Sequence, residues 1–302
     1  MKILFFDKTN IELKQKLEKI GFECVYKKEK DKKTIIGIIV RNQIINSKII
    51  KQYPKLKFIA RCGSGIENIE KKYCKEKKIK IINSPEGNAQ SVAEYCMGAV
   101  FSLTRNIKKS NQEVINNIWE REKNRTHELT NYTVGIIGYG NTGKAFAKIL
   151  NKFKMKVIAY DKYKQNISDK YVKEVDLETI FMKTDILSIH INYNAKNKFF
   201  INHEFLNSFK KNIFLINSSR GKCLKTQALV NMIKNKRILG AALDVIEYED
   251  ENFKKINLKN KSDFDFIKKS ENIIITPHIA GITHESKSRI QKVLLKKISK
   301  FI

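Results

Sequence analysis

Ten short apolar runs, separated by longer amphipathic stretches, constrain this chain more than any other feature. They are KILFF (2–6), TIIGIIV (34–40), KFIA (57–60), IKIIN (79–83), TVGIIG (133–138), KVIAY (156–160), DILSIH (185–190), IFLIN (213–217), ILGAAL (238–243) and NIIIT (272–276). Most are continuous rather than alternating, the pattern of strands covered on both faces of a parallel sheet. Between them, NIELKQKLEKIG (10–21), TGKAFAKILNKF (142–153) and KTQALVNMIKNK (225–236) carry helical periodicity. Strand–helix alternation predicts an α/β fold with right-handed crossovers, with ligands at the carboxyl ends of the strands.

The alternation breaks at about residues 90–130. SVAEYCMGAVFSLTRNIKKSNQEVINNIWERE has no turn signal and reads as one or two long helices. The expected organisation is two parallel-sheet domains, Rossmann-like and flavodoxin-like, one inserted in the other. Residues 1–98 with 282–302 form the first, and 99–281 the second, with helices at about 99–130. The Lys-rich YKKEKDKK (26–33) reads as a solvated loop.

The formal charge of +29 invites a nucleic-acid reading, but of 60 basic residues only eight are arginine and 52 are lysine. The lysines are spread through the chain among many Asn and Ile rather than gathered in a basic stripe. No specific nucleic-acid partner is expected, although the field would attract small anions. No apolar run approaches the roughly 20 residues that cross a bilayer, and MKILFFDKTN turns polar too soon for a signal peptide. Five widely spaced cysteines without a CxxC pair argue against a disulfide framework and a structural metal, and fit a reducing cytoplasm.

The most specific motif is Gly138-Tyr139-Gly140-Asn141-Thr142-Gly143, with an apolar strand before it and a helix after it. A second strand ends at Asp161, 18 residues beyond Gly143. In this pattern the first glycine permits a tight turn and the second lets a pyrophosphate approach the backbone. The third lets helix and strand pack closely. The helix N-terminus offers free N–H groups to the phosphates. Asp161 would accept the adenosine ribose hydroxyls and repel a 2′-phosphate, favouring NAD.

With this loop in mid-chain, four blocks occur in order: RCGSGIENIE (61–70), the glycine loop with Asp161, NSSRGKCL (217–224), and ALDVIEYE (242–249) with TPHIAG (276–281). In these blocks the sequence resembles the D-isomer-specific 2-hydroxyacid dehydrogenases, most of all the phosphoglycerate dehydrogenase branch. The resemblance implies a substrate domain built from both chain ends and an inserted NAD domain. It implies Arg220, Glu249 and His278 as the catalytic set. It also implies that Ser218, Ser219 and Asp244 line the cofactor, and that Ser64 and Gly65 contact substrate. The family's proline after the glutamate is replaced by Asp250, and Glu247 stands two residues from Glu249.

In such a reaction His278 takes the hydroxyl proton, because imidazole titrates near neutrality. Glu249 fixes its tautomer, and Arg220 clamps the substrate carboxylate with a planar fork that lysine lacks. By resemblance, Arg41 and Asn88 face a substrate phosphate, giving 3-phosphoglycerate as the leading substrate and serine synthesis as its place. Reduction of glyoxylate or hydroxypyruvate is the alternative, and a cofactor-sensing binding protein is the alternative of another class. Resemblance also implies a homodimer through the region of Trp119. The chain ends within about one helix of TPHIAG, so no C-terminal serine-sensing domain is expected.

Overall fold

The computed structural model describes residues 1–6, 11–26, 31–250, 255–258 and 262–301. Two units divide the chain: residues 1–89, 250–255 and 282–302, and residues 90–249 and 256–281. Every pairing between the named strands is parallel.

Unit 1 begins with β1 (Lys2–Phe5), α1 (Ile11–Lys19), β2 (Glu23–Tyr26), β3 (Ile35–Val40), α2 (Ser47–Ile50), β4 (Phe58–Arg61), α3 (Lys71–Glu76) and β5 (Lys80–Ile82). Its sheet order is β2-β1-β3-β4-β5. The isoleucine-rich β3 is buried at all six positions, as a central strand covered on both faces must be. Alternate residues feed two cores: Ile3, Phe5, Ile39 and Ala60 on one face, Leu4, Ile38, Val40 and Ile59 on the other.

Unit 2 opens inside α4 (Ala89–Thr104) and continues through α5 (Ile107–Ile115), β6 (Thr133–Ile137), α6 (Asn141–Lys152), β7 (Lys156–Tyr160), β8 (Lys173–Glu174), α7 (Leu177–Lys183) and β9 (Ile186–Ile189). Then come α8 (His203–Asn207), β10 (Ile213–Asn217), α9 (Thr226–Lys234), β11 (Ile238–Leu243), α10 (Ser262–Lys269) and β12 (Ile273–Ile275). The seven strands lie in the order β12-β11-β10-β9-β6-β7-β8. The order reverses between β9 and β6, and a crevice outside the carboxyl ends of these two strands is where such a sheet binds ligands. Ile137, Leu187, Leu215 and Leu243 face one core, with α9 residues Ala228, Leu229 and Met232. Val134, Ile136, Ile186, Ile216 and Ala242 face the other, packed by α4 and by Phe146, Ala147 and Leu150 of α6.

The chain returns to unit 1 as α11 (His284–Ile298), started by a Thr283–Ser286 capping box. It packs on α1 and β5, burying Leu294 and Ile298 beside Leu13 and Leu17.

Three expectations need correction. In the region expected to be helical to about residue 130, the α-helix stops at Ile115 and only 3₁₀ turns follow, Glu122–Asn124 and Leu129–Asn131; α4 and α5 are separated where Asn106 takes a left-handed φ of 52°. Asparagine tolerates that conformation better than most residues, so a break needs neither glycine nor proline. β2 and β8 are strands that the apolar runs did not announce. Of the loop expected at 26–33, residues 27–30 lie outside the described residues, and Lys32–Thr34 form a 3₁₀ turn capped by Asp31.

Leu229 is fully buried in the α9 core. Leu229→Ala is expected to cost about 2–5 kcal/mol by transfer and cavity terms. Urea unfolding followed by far-UV circular dichroism reads this loss; a change below 1 kcal/mol would contradict the packing.

Candidate active site

β6 ends at Ile137, and Gly138 turns the chain with φ 94°. A Cβ on Gly143 would sit 2.3 Å from the Gly138 carbonyl oxygen, so only glycine lets α6 come this close to the turn. Gly140 is the helix N-cap and has no side chain, so nothing of its own covers the first N–H groups of α6. A Cβ there would meet nothing within 4 Å. An uncapped helix start opening onto free space is what an anionic pyrophosphate needs. The residues present therefore fit a dinucleotide.

Asp161, just beyond β7, turns its carboxylate to this loop. Oδ2 accepts from the Tyr139 N–H at 2.8 Å, and Oδ1 from the N–H groups of Tyr163 (2.9 Å) and Lys164 (3.1 Å). These three donors leave acceptor capacity on a carboxylate, which offers about four lone-pair sites. Buried Tyr139 directs its hydroxyl to Asp169, which also pairs with Lys144 at 3.1 Å.

Sequence reasoning missed His190. It follows β9 across the switch point, and its N–H donates to the Ile137 carbonyl at 2.8 Å. Its ring is buried between Ser188 (Nε2 to Oγ, 2.8 Å) and Thr142 of the glycine loop (Nδ1 to Oγ1, 3.2 Å). Desolvation brings its pKa down to about 4. The available signal was a histidine closing the strand beside the glycine strand.

The segment after β12 carries His278, built around Asp244 at the end of β11. Asp244 is 1% exposed. Its Oδ1 accepts from Thr276 Oγ1 (2.6 Å) and Ile279 N–H (2.8 Å), and its Oδ2 from Ala280 N–H (2.8 Å). Its backbone carbonyl accepts from the His278 N–H at 2.8 Å. Tyr95 of α4 pins the same loop, its hydroxyl 2.7 Å from Thr276 Oγ1. His278 itself takes a left-handed φ of 58°, directly after Pro277. A non-glycine residue holds that conformation only when its surroundings over-determine it.

The structure brings His278 and Glu249 together: Nδ1 lies 3.0 Å from Glu249 Oε2. Glu249 Oε1 accepts from Ile246 N–H at 2.8 Å, which fixes the carboxylate. Glu247 is used elsewhere, accepting from the Thr226 N–H at the start of α9 (2.7 Å), with Lys225 at 3.8 Å. The loop after β10 holds Ser218, Ser219 and Arg220. Buried Ser219 bonds Asn217 Oδ1 through both its N–H and its hydroxyl. Ser218 Oγ lies 3.1 Å from the thiol of Cys96. Arg220, half-buried, donates from Nη1 to the Ser219 carbonyl at 2.7 Å. Next to it, a Cβ on Gly221 would fall 1.9 Å from the Ile246 carbonyl oxygen. The arginine loop is thus packed directly on the backbone that leads to Glu249.

In unit 1, Ser64 donates to Asn88 Oδ1 at 2.6 Å, joining two of the residues singled out in sequence; Gly65 follows Ser64 and is half-buried. Arg41 is exposed just past β3. Its carbonyl accepts from Arg61 Nε at 3.0 Å. Arg61, the last residue of β4, is a second guanidinium beside this loop that sequence reasoning passed over.

Residues 97–280 match the D-isomer specific 2-hydroxyacid dehydrogenase, NAD binding domain. The chain belongs to this dehydrogenase family, and its cofactor is NAD. A hydroxypyruvate reductase of Thermotoga maritima is 34% identical over 264 residues, 87% of this chain and 83% of that protein. A D-3-phosphoglycerate dehydrogenase of Archaeoglobus fulgidus is 28% identical, over 99% of this chain but 56% of its own length. Among solved structures, the D-lactate dehydrogenase of Aquifex aeolicus complexed with NAD and lactic acid superposes with a TM-score of 0.83 at 26% identity. That match covers 100% of this chain and 95% of the other. The fold expected from sequence, two parallel-sheet α/β domains, is the fold of these enzymes.

The depressed pKa of His190 makes a stability prediction. The unfolded histidine, near pH 6.5, takes its proton before the folded one does. Stability from this group is therefore complete above about pH 6.5 and falls as pH drops toward 4, by about 3 kcal/mol in all. Urea midpoints across that window should fall in the wild type and fall less in His190→Asn; equal slopes would contradict a buried neutral ring.

Proposed function

We propose that this NAD-dependent 2-hydroxyacid dehydrogenase moves its proton through His278. The observation that carries this reading is the 3.0 Å contact between His278 Nδ1 and Glu249. With Nδ1–H donated to the carboxylate, the neutral ring carries its lone pair on Nε2, the proton acceptor. Hydride transfer at C2 is the chemistry the nicotinamide supplies. His278 takes the C2 hydroxyl proton as the acid is oxidised and returns it when the ketone is reduced. Glu249 keeps the ring in that tautomer and offsets the imidazolium charge. Arg220 holds the substrate carboxylate.

Unit 2 is the cofactor domain in this reading. Thr142 and the N–H groups of Asn141 and Gly143 receive the pyrophosphate. Tyr139 walls the loop, and Asp161 receives the ribose. Ser218 and Ser219 line the nicotinamide side. Asp244 acts on that side by holding the histidine loop. In unit 1, Ser64, Gly65 and Asn88 are the residues that the resemblance assigns to the substrate.

For the substrate, similarity to the hydroxypyruvate reductase favours a small unphosphorylated 2-keto acid, reduced with NADH. A second reading, 3-phosphoglycerate oxidation in serine synthesis, is supported by Arg41 and its carbonyl-linked neighbour Arg61. Five buried free cysteines suit the cytoplasm.

His278→Gln is expected to lower kcat by about 10²–10⁴ with NADH affinity retained; unchanged turnover would end the proton-transfer role. A panel of hydroxypyruvate, glyoxylate, pyruvate and 3-phosphohydroxypyruvate, followed by NADH absorbance, ranks the substrates. If Arg41→Ala leaves the phosphorylated-to-unphosphorylated preference unaltered, the phosphate reading fails.

The homodimer reading rests on an apolar stripe. Ile107, Val114, Ile115 and Ile118 are exposed along α5 and just beyond it, and Trp119 is 79% exposed. A patch of this kind marks a protein contact, and resemblance gives a second copy as its occupant. Trp119→Glu with Ile115→Glu should convert a dimer to a monomer in sedimentation analysis. A wild-type monomer at micromolar concentration would refute it.

A further inference from the structure

Beneath the cofactor loops of unit 2, Cys96, Ser188 and His190, which have no part in the catalytic scheme, join two residues that do, Ser218 and Thr142. Ser218 Oγ meets the Cys96 thiol at 3.1 Å, and Ser188 adjoins the same thiol. Ser188 Oγ meets His190 Nε2 at 2.8 Å, and His190 Nδ1 meets Thr142 Oγ1 at 3.2 Å. Ser188 and Cys96 are fully buried, and His190 is nearly so. This chain of side chains ends at the glycine loop after β6 and at the loop after β10.

Its direction follows from chemistry. Burial raises the Cys96 pKa to about 12, so the thiol keeps its proton. Burial keeps the His190 ring neutral, with one N–H and one lone pair. Two orientations satisfy such a ring. In one, Thr142 donates to His190 and its hydroxyl proton is spent inside the protein. In the other, Ser188 donates to Nε2, while Nδ1–H donates to Thr142 Oγ1. Only the second leaves the Thr142 O–H free. Thr142 lies in the first turn of α6, where N–H groups and dipole favour an anion, so a ligand phosphate selects the second orientation. Aligned donors in a low-dielectric interior strengthen one another. The ring itself is held in place by Phe146, with centroids 5.6 Å apart.

We propose that His190 is a positioning residue for the cofactor: through its Nδ1–H it turns the Thr142 hydroxyl outward as a donor to the pyrophosphate. This rests on the cofactor reading of the glycine loop given above. His190 touches neither substrate nor reacting atoms, so its effect passes through Thr142.

The test measures binding of NADH, by fluorescence, and of ADP-ribose, by calorimetry, on the full chain. His190→Phe and Thr142→Val are each expected to weaken both ligands roughly tenfold, the size of one hydrogen bond to a charged group. Together they should weaken binding less than about twofold beyond either alone, because they break one interaction. The steady-state change should appear in KM for NADH rather than in kcat.

A second pair of variants guards against a folding defect. Asparagine places an amide donor near the position of Nδ1, whereas glutamine reaches toward that of Nε2. His190→Asn should therefore bind within about threefold of wild type, and His190→Gln should resemble His190→Phe. Additive losses in the double variant, or equal affinities for the Asn and Gln variants, would overturn the inference while leaving the cofactor reading intact. Failure of the wild type to bind NADH would overturn both.

Discussion

The carboxylate of Asp244 is the interaction on which the site depends. It is buried just past the end of β11, and it takes three donors from the stretch that carries His278. A buried charge is tolerated only when hydrogen bonds replace its lost hydration. The reverse also holds: the backbone of 276–280 is fixed because its donors have one acceptor to satisfy. Pro277 narrows the choices of this stretch, but the left-handed φ of His278 is one that a histidine seldom adopts unaided. A single acid thus converts a strained turn into a defined one, and Tyr95 extends its hold to α4 through Thr276.

The same economy governs the rest of unit 2. The loops of the candidate site follow β6, β9, β10, β11 and β12, all at the carboxyl ends of parallel strands. They are joined sideways by contacts that admit little substitution, such as Gly143 on the Gly138 carbonyl and Gly221 on that of Ile246. Position comes from the sheet; orientation comes from polar groups that lie beneath the surface rather than on it.

Much of this was legible in the residues. Continuous isoleucine and valine runs declare strands covered on both faces, and the glycine spacing declares the turn before α6. What escaped had weak local signals. β2 is only ECVY, ahead of a lysine run, and β8 is the wholly polar Lys173–Glu174; both are made strands by a neighbour. Residues 116–132 lack glycine and proline, yet leave the helix, with Asn117 in the left-handed region as Asn106 is before it. Within the candidate site, motif spacing selected Glu249 over Glu247, and the structure gives these two acids different neighbours. His190 read as the last letter of an apolar run. Its contacts with Ser188 and Thr142 arise from strand order, which periodicity does not encode.

The five cysteines are all free and all buried, three in unit 1 (Cys24, Cys62, Cys74) and two in unit 2 (Cys96, Cys223). Burial raises the pKa values of Cys24 and Cys96 to about 12, so the nucleophilic thiolate is scarce as well as shielded. Alkylating reagents therefore have to wait for the polypeptide to open. The thiols are native clocks of breathing, with separate dials in the two halves of the molecule, and no label need be engineered to read them.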